Sequence, residues 1–83
     1  MIYHSLIAAR FRRDFRRLPD DVQAHVLTAL DIIVQDPYKG EKMKAVEVGE
    51  WKYRVGDYRI RYDIEGQDVI FVVVRHRREV YRS

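Results

Sequence analysis

Trp51-Lys52-Tyr53-Arg54-Val55-Gly56-Asp57-Tyr58-Arg59-Ile60-Arg61-Tyr62-Asp63-Ile64 alternates apolar with charged residues on either side of a Gly-Asp pair. That is the pattern of a β-hairpin closed by a two-residue loop, and such a loop sets Val55 opposite Tyr58, Arg54 opposite Arg59 and Lys52 opposite Arg61. The cations Lys52, Arg54, Arg59 and Arg61 then share one face. Like charges directly across a ladder are unfavourable. Two readings follow: a solvated face whose long side chains fan into water, or a surface shaped for an anion. Phosphate suits the second, because the arginine fork matches its oxygens.

Trp51, Tyr53, Val55, Ile60, Tyr62 and Ile64 form the other face, which must be covered. After a Gly66-Gln67 turn, Asp68 to Arg75 is predicted to return as a further strand. Simple alternation puts Val69, Phe71 and Val73 on the covered face and Ile70, Val72 and Val74 beside the cations. The cover lies upstream. Ala8, Phe11, Phe15 and Leu18 recur at helical spacing, with Arg10, Arg13 and Arg17 on the other side. Pro19-Asp20-Asp21 is a helix start, and the stripe of Val22, Val26, Ala29 or Leu30, and Ile33 runs to the stop at Asp36-Pro37. Ile2 to Leu6 is predicted as a first strand and Met43 to Val48 as an extended segment. The expected architecture is α+β in two layers: an N-terminal strand and a helical hairpin packed on one face of a mainly antiparallel sheet.

At 83 residues, without internal repeat or linker, residues 1–83 are read as a single domain. The absence of cysteine removes disulfides and thiolate metal sites and suits a reducing cytosol. The longest apolar run, Val69 to Val74, is too short to cross a bilayer, and no secretory leader is recognisable. A cytoplasmic protein with no membrane partner is expected. Net charge is +3, with eight Lys/Arg against eight Asp/Glu in residues 1–50 and eight against five in residues 51–83. The excess sits in the strand-rich half, which favours a local anion site over a uniformly basic surface. The Arg12-Arg13 and Arg16-Arg17 pairs read as a solvated helix face.

His4, His25 and His76 are scattered and belong to no metal-ligand spacing, so no metal and no cofactor is predicted. Isolated glycines form neither a P-loop nor a dinucleotide fingerprint, and Ser5 and Ser83 offer no nucleophile with partners. Asp63, Glu65 and Asp68 cluster near one turn with nothing to mark them as a buried acid pair. What remains is cationic and phenolic: Lys52, Arg54, Arg59, Arg61, His76, Arg77, Arg78 and Tyr81.

The stretches Trp51 to Ile60 and His76-Arg77-Arg78-Glu79-Val80-Tyr81, in this order, resemble the signature of the RelE/ParE superfamily of bacterial toxins, and its RelE branch in particular. The Leu18-Pro19 break and Lys42-Met43-Lys44 extend the likeness over nearly the whole chain. The resemblance implies two helices packed on one face of an antiparallel sheet. It also implies a ribosome-dependent, metal-independent endoribonuclease that cuts mRNA in the A site and is held inactive by a cognate, RelB-like antitoxin. Lys52 and Arg59 match functional cations of the family, Arg54 stands where some members have lysine, and Arg77 and Tyr81 match C-terminal basic and phenolic positions. Arg75 replaces a frequent glycine, the Arg77 to Tyr81 spacing is shorter than in some members, and the chain stops at Ser83 without the C-terminal helix that some relatives carry.

Lys52, Arg54, Arg59, Arg77, Tyr81 and His76 are thus the candidate catalytic residues, with Lys42, Lys44, Arg61, Arg75 and Arg78 as candidate RNA-binding cations. Attack of a 2′-OH on phosphorus needs a proton removed and charge stabilised on the phosphorane. Arginines suit the second task. Lys52, if its neighbouring cations favour the neutral amine, Tyr81 and His76 are the candidates for the first. Ribosome, mRNA and antitoxin are the expected partners, with the toxin itself monomeric outside a toxin–antitoxin hetero-oligomer. Two alternatives stand beside this reading: a ParE-like non-catalytic toxin that inhibits DNA gyrase, and a basic RNA-binding module.

Overall fold

The computed structural model describes residues 2–44 and 49–80. Strand β1 (His4–Ile7) leads into helices α1 (Ala9–Arg16) and α2 (Asp20–Gln35), a 3-10 turn (Pro37–Lys39) and the short strand β2 (Glu41–Lys42). Strands β3 (Trp51–Val55), β4 (Tyr58–Glu65) and β5 (Asp68–His76) follow, and a helical turn, α3 (Arg77–Val80), ends the described chain. The sheet order is β1-β5-β4-β3-β2, antiparallel except for β1, which runs parallel to β5. This is the predicted two-layer α+β arrangement. Part of the predicted 43–48 segment, residues 45–48, lies outside the described residues, and the strand found there is β2, just upstream.

The helix limits follow the local chemistry. Arg13 and Arg16 occupy the last turn of α1 and Asp20 and Asp21 the first turn of α2, each complementing the helix dipole. Pro19 and Pro37 punctuate the two helices. Gln23 Nε2 donates to the Phe15 carbonyl at 2.9 Å and ties the end of α1 to the start of α2. The helices bury Phe11, Val26, Ala29 and Ile33 against Ile60, Tyr62, Val69, Phe71 and Val74 of the sheet. Phe11 and Phe71 meet at 5.8 Å between ring centres. Each Val, Ile or Phe side chain among them contributes roughly 1.5–3 kcal/mol when fully buried.

The hairpin register is as expected, with Val55 opposite Tyr58, Arg54 opposite Arg59 and Lys52 opposite Arg61. Gly56 supplies the positive φ, 59°, that the two-residue loop needs. Strand β5 departs from simple alternation. Tyr62 pairs with Phe71 but Arg61 pairs with Val73, so Val72 is an extra residue in a β-bulge. The bulge reverses the phase of everything beyond it. Val74 therefore joins the core instead of facing the cations, while Val73, expected in the core, lies beside Arg61 on the opposite face. Ile70, opposite Asp63, stays on the cationic side as predicted.

Two side chains of β4 anchor the entry into β3. The Asp63 carboxylate accepts the Gly49 and Glu50 N–H groups at 2.9 and 2.8 Å, and Arg61 Nε donates to the Gly49 carbonyl at 3.0 Å. Asp63 is thus a backbone clamp, and part of the Arg61 fork is engaged in holding a loop.

Candidate functional site

Strand β2 pairs with Trp51 and Lys52, and among the described residues no strand pairs with the β3 edge beyond them. There the chain opens a cleft of about 310 Å³ lined by Lys39, Gly40, Glu41, Lys52, Tyr53, Arg54 and Arg59. Lys52, Arg54 and Arg59, three of the predicted catalytic cations, are brought together. Lys39 and Glu41, which the sequence reading passed over, join them. Across the sheet Arg54, Arg59 and Arg75 stand in one register row over three strands, a direct like-charge arrangement. A carboxylate sits at each end of this cationic band: Glu41 Oε2 is 3.7 Å from Lys52 Nζ, and Asp14 Oδ2 of α1 is 3.6 Å from Arg75 Nε. The Lys52 side chain is 24 % exposed and Glu41 74 % exposed, so the lysine stem is packed while its partner reaches in from water.

A buried tyrosine positions the near wall. Tyr62 Oη donates to the Pro37 carbonyl at 2.7 Å and bonds to the Gly40 backbone, bracketing the turn that delivers Lys39 and Glu41. Burial pushes its phenol up to about 12. Gly40 has an ordinary φ of −68°; its requirement is space, because a Cβ there would land on Tyr62 Oη and 2.8 Å from the Lys52 carbonyl oxygen.

The other predicted residues are distributed differently. His76 pairs with Tyr58 on the helix-side face, packs edge-on to its ring at 5.2 Å and accepts the Arg78 N–H through Nδ1 at 3.2 Å. The structure therefore separates His76 from the cleft, the same bulge having turned it away and Arg75 toward the cations. The Arg77 N–H donates to the Asp57 carbonyl at 2.7 Å, fixing Arg77 beside the hairpin turn, and both Arg77 and Arg78 are exposed there. Lys42 pairs with Trp51 on the helix-side face, and Lys44 is exposed just after β2. Tyr81 lies outside the described residues. Among the described residues no three His, Asp or Glu side chains form a metal-ligand set, and no helix is long and apolar enough to cross a membrane.

A helical hairpin on one face of a five-stranded, mostly antiparallel sheet with a cationic edge defines a RelE-like α+β protein. The family model for the ParE toxin of type II toxin–antitoxin systems matches residues 6–81, and the chain belongs to that family, within the RelE/ParE superfamily. It is a toxin of a type II toxin–antitoxin system. Among solved structures it is similar to the RelBE2 toxin–antitoxin complex of Mycobacterium tuberculosis, with 26 % identity over 92 % of this chain and 99 % of that one and a TM-score of 0.82. The fold is shared with the RelB–RelE antitoxin–toxin complex of Methanococcus jannaschii, at 24 % identity, 92 % and 94 % coverage and a TM-score of 0.74. A doubly substituted E. coli RelE toxin in the free state shares it too, at 22 % identity, 98 % and 92 % coverage and a TM-score of 0.75. No curated protein matches the chain.

Proposed function

We propose that this toxin is an endoribonuclease that cleaves mRNA in the ribosomal A site in the cytoplasm, without a metal, by attack of the 2′-OH on the adjacent phosphorus to leave a 2′,3′-cyclic phosphate and a 5′-OH. The observation that supports this most is the convergence of Lys39, Lys52, Arg54 and Arg59 on one cleft at the β3 edge of the sheet. In that cleft the guanidinium groups of Arg54 and Arg59 hold the non-bridging oxygens, where charge grows in the transition state. The Lys52 ammonium faces the same charge. Arg77, at the turn end of the sheet, extends the cationic track along the RNA. Programmed ribosomes treated with the toxin and excess chelator are expected to yield mRNA cut within a codon and ending in a cyclic phosphate. Abolition of cutting by chelator, in complexes that remain intact, would count against this reading.

The ParE family model favours a second reading, a toxin that inhibits DNA gyrase without catalysis. Induced cells separate the two: cut mRNAs with arrested protein synthesis support the ribonuclease, and gyrase-linked DNA breaks with intact mRNAs support the other.

The similar solved complexes pair RelE with RelB, and we infer an antitoxin partner here as well. The cationic face, with the Ile70, Val72 and Val74 patch that simple alternation places beside it, is one surface an acidic antitoxin would suit, but Val72 and Val74 are buried and leave that face little apolar area. An apolar groove lined by Ile7, Phe11, Phe15, Leu27 and Leu30 between α1 and α2, with Arg12 and Arg16 on its rim, supports a second seat. Leu27 is 54 % exposed and Leu6, nearby on β1, 48 %. An acidic amphipathic antitoxin helix complements this groove in both polarity and charge. Leu27→Glu is expected to keep its toxicity and to escape neutralisation, so cells that co-express the antitoxin stop growing. Full rescue of growth would remove the groove from the interface.

A further inference from the structure

Within the cleft, Glu41 is the sole carboxylate among the described lining residues, and its Oε2 stands 3.7 Å from Lys52 Nζ. Its register partner on β3 is Lys52 itself, so the pairing is set by the β2–β3 ladder as well as by charge. The separation of 3.7 Å and the 74 % exposure of Glu41 describe a loose, water-accessible pair, which contributes little to stability and is readily displaced. A carboxylate and a phosphate oxygen cannot both make the close contact with one ammonium without repelling each other. We propose that Glu41 is a resident anion that competes with phosphate for Lys52 and so sets which ligands the cleft retains. A ligand with one phosphate must displace Glu41 with little in return. A single-stranded polyanion replaces it while also engaging Arg54, Arg59 and Lys39, and is favoured by that difference. Naming single-stranded RNA as that polyanion rests on the ribonuclease reading; the competition itself does not.

The test compares wild type with Glu41→Gln and Glu41→Ala, and with Glu65→Gln, which removes one exposed carboxylate at the far end of β4. Inorganic phosphate is titrated while the backbone amides of Gly40 and Tyr53 are followed by NMR, and a 2′-O-methyl oligoribonucleotide, which lacks the attacking hydroxyl, is titrated by fluorescence anisotropy at one fixed salt concentration. Both Glu41 variants are expected to bind phosphate about two- to fivefold more tightly, the range that an exposed ion pair is worth, and Glu65→Gln to match wild type. The proposal is overturned if the Glu41 variants bind phosphate more weakly or equally, if Glu65→Gln gives the same gain, or if phosphate shifts neither amide in any of the proteins. Tighter phosphate binding without oligonucleotide binding by any variant would leave Glu41 as the competitor and sink RNA as the ligand.

Discussion

If the proposed ribonuclease activity is correct, Arg59→Ala and Lys52→Ala are each expected to lower the rate of mRNA cleavage on the ribosome by about a hundredfold or more, the usual loss when one transition-state donor is removed. Both residues line the cleft, and Arg59 lies at the centre of the Arg54, Arg59, Arg75 register row. Neither belongs to the buried core of Phe11, Ile60, Tyr62, Phe71 and Val74. Arg59 lies outside that core, so its alanine variant should remain folded, with a change in melting temperature that is small beside the loss of rate. A severe loss of activity in a variant that stays folded is the signature of a residue that serves the site rather than the fold. His76→Asn supplies the control, because His76 packs on Tyr58 across the sheet and should leave the rate near that of wild type. Circular dichroism melts beside a primer-extension cleavage assay decide the matter. Full activity in Arg59→Ala and Lys52→Ala, or loss of activity only through unfolding, would remove the cleft as the catalytic site.

How far the sequence reveals this arrangement depends on which forces act locally. The register of β3 against β4 is set by the Gly56-Asp57 loop and by alternation over fourteen residues from Trp51 to Ile64, so the pairing of Lys52 with Arg61 and Arg54 with Arg59 is readable in advance. The helices are readable because their limits are set by Pro19, Asp20 and Pro37, which act within one turn. Strand β5 is different. Val69-Ile70-Phe71-Val72-Val73-Val74 is apolar at every position, so periodicity carries no information about phase, and a bulge is invisible in it. That one insertion displaces Val73 and Val74 from their expected faces, turns Arg75 to the cations and takes His76 away from them.

The near wall of the cleft is hidden for another reason. Lys39 and Glu41 enter through a strand of two residues whose position depends on a long-range bond between Tyr62 and the Pro37–Gly40 turn. Nothing in the local pattern of Tyr38-Lys39-Gly40-Glu41 announces it. The Asp63 clamp is equally long-range, joining residues fourteen positions apart. Sequence therefore shows the cations but not the two carboxylates that restrain the ends of their band.

Gly40→Ala tests the dependence of the cleft on that bond, and it is expected to be the most destabilising single-methyl change in the described chain outside the core. The new Cβ would collide with Tyr62 Oη and stand 2.8 Å from the backbone oxygen of Lys52. Tyr62 is fully buried and the other neighbour is main chain, so neither can swing aside. The 37–41 segment must lift instead, which breaks the bonds from Tyr62 and the pairing of Glu41 with Lys52. Overpacking costs about 1–3 kcal/mol and an orphaned buried polar group about as much again. At roughly 4–8 °C per kcal/mol for a domain of this size, the melting temperature should fall by on the order of 10 °C or more. Tyr62→Phe removes the obstructing oxygen, so in the double variant the two costs should fall short of their sum. The pH dependence reads the burial of the same phenol, which the hydrogen bond from Gly40 opposes in part. Because burial raises the Tyr62 phenol from 10.0 to about 12, the neutral form is favoured in the folded state. Its contribution is complete below pH 10 and is lost as pH rises from 10 toward 12, amounting to about 2–3 kcal/mol. Tyr62→Phe lacks this titration and should lose less stability than wild type over that interval. Denaturant melts at pH 9, 10 and 11 measure it; parallel curves for the two proteins would show that the phenol is not buried, and a Gly40→Ala variant as stable as wild type would show that the turn is held by something other than Tyr62.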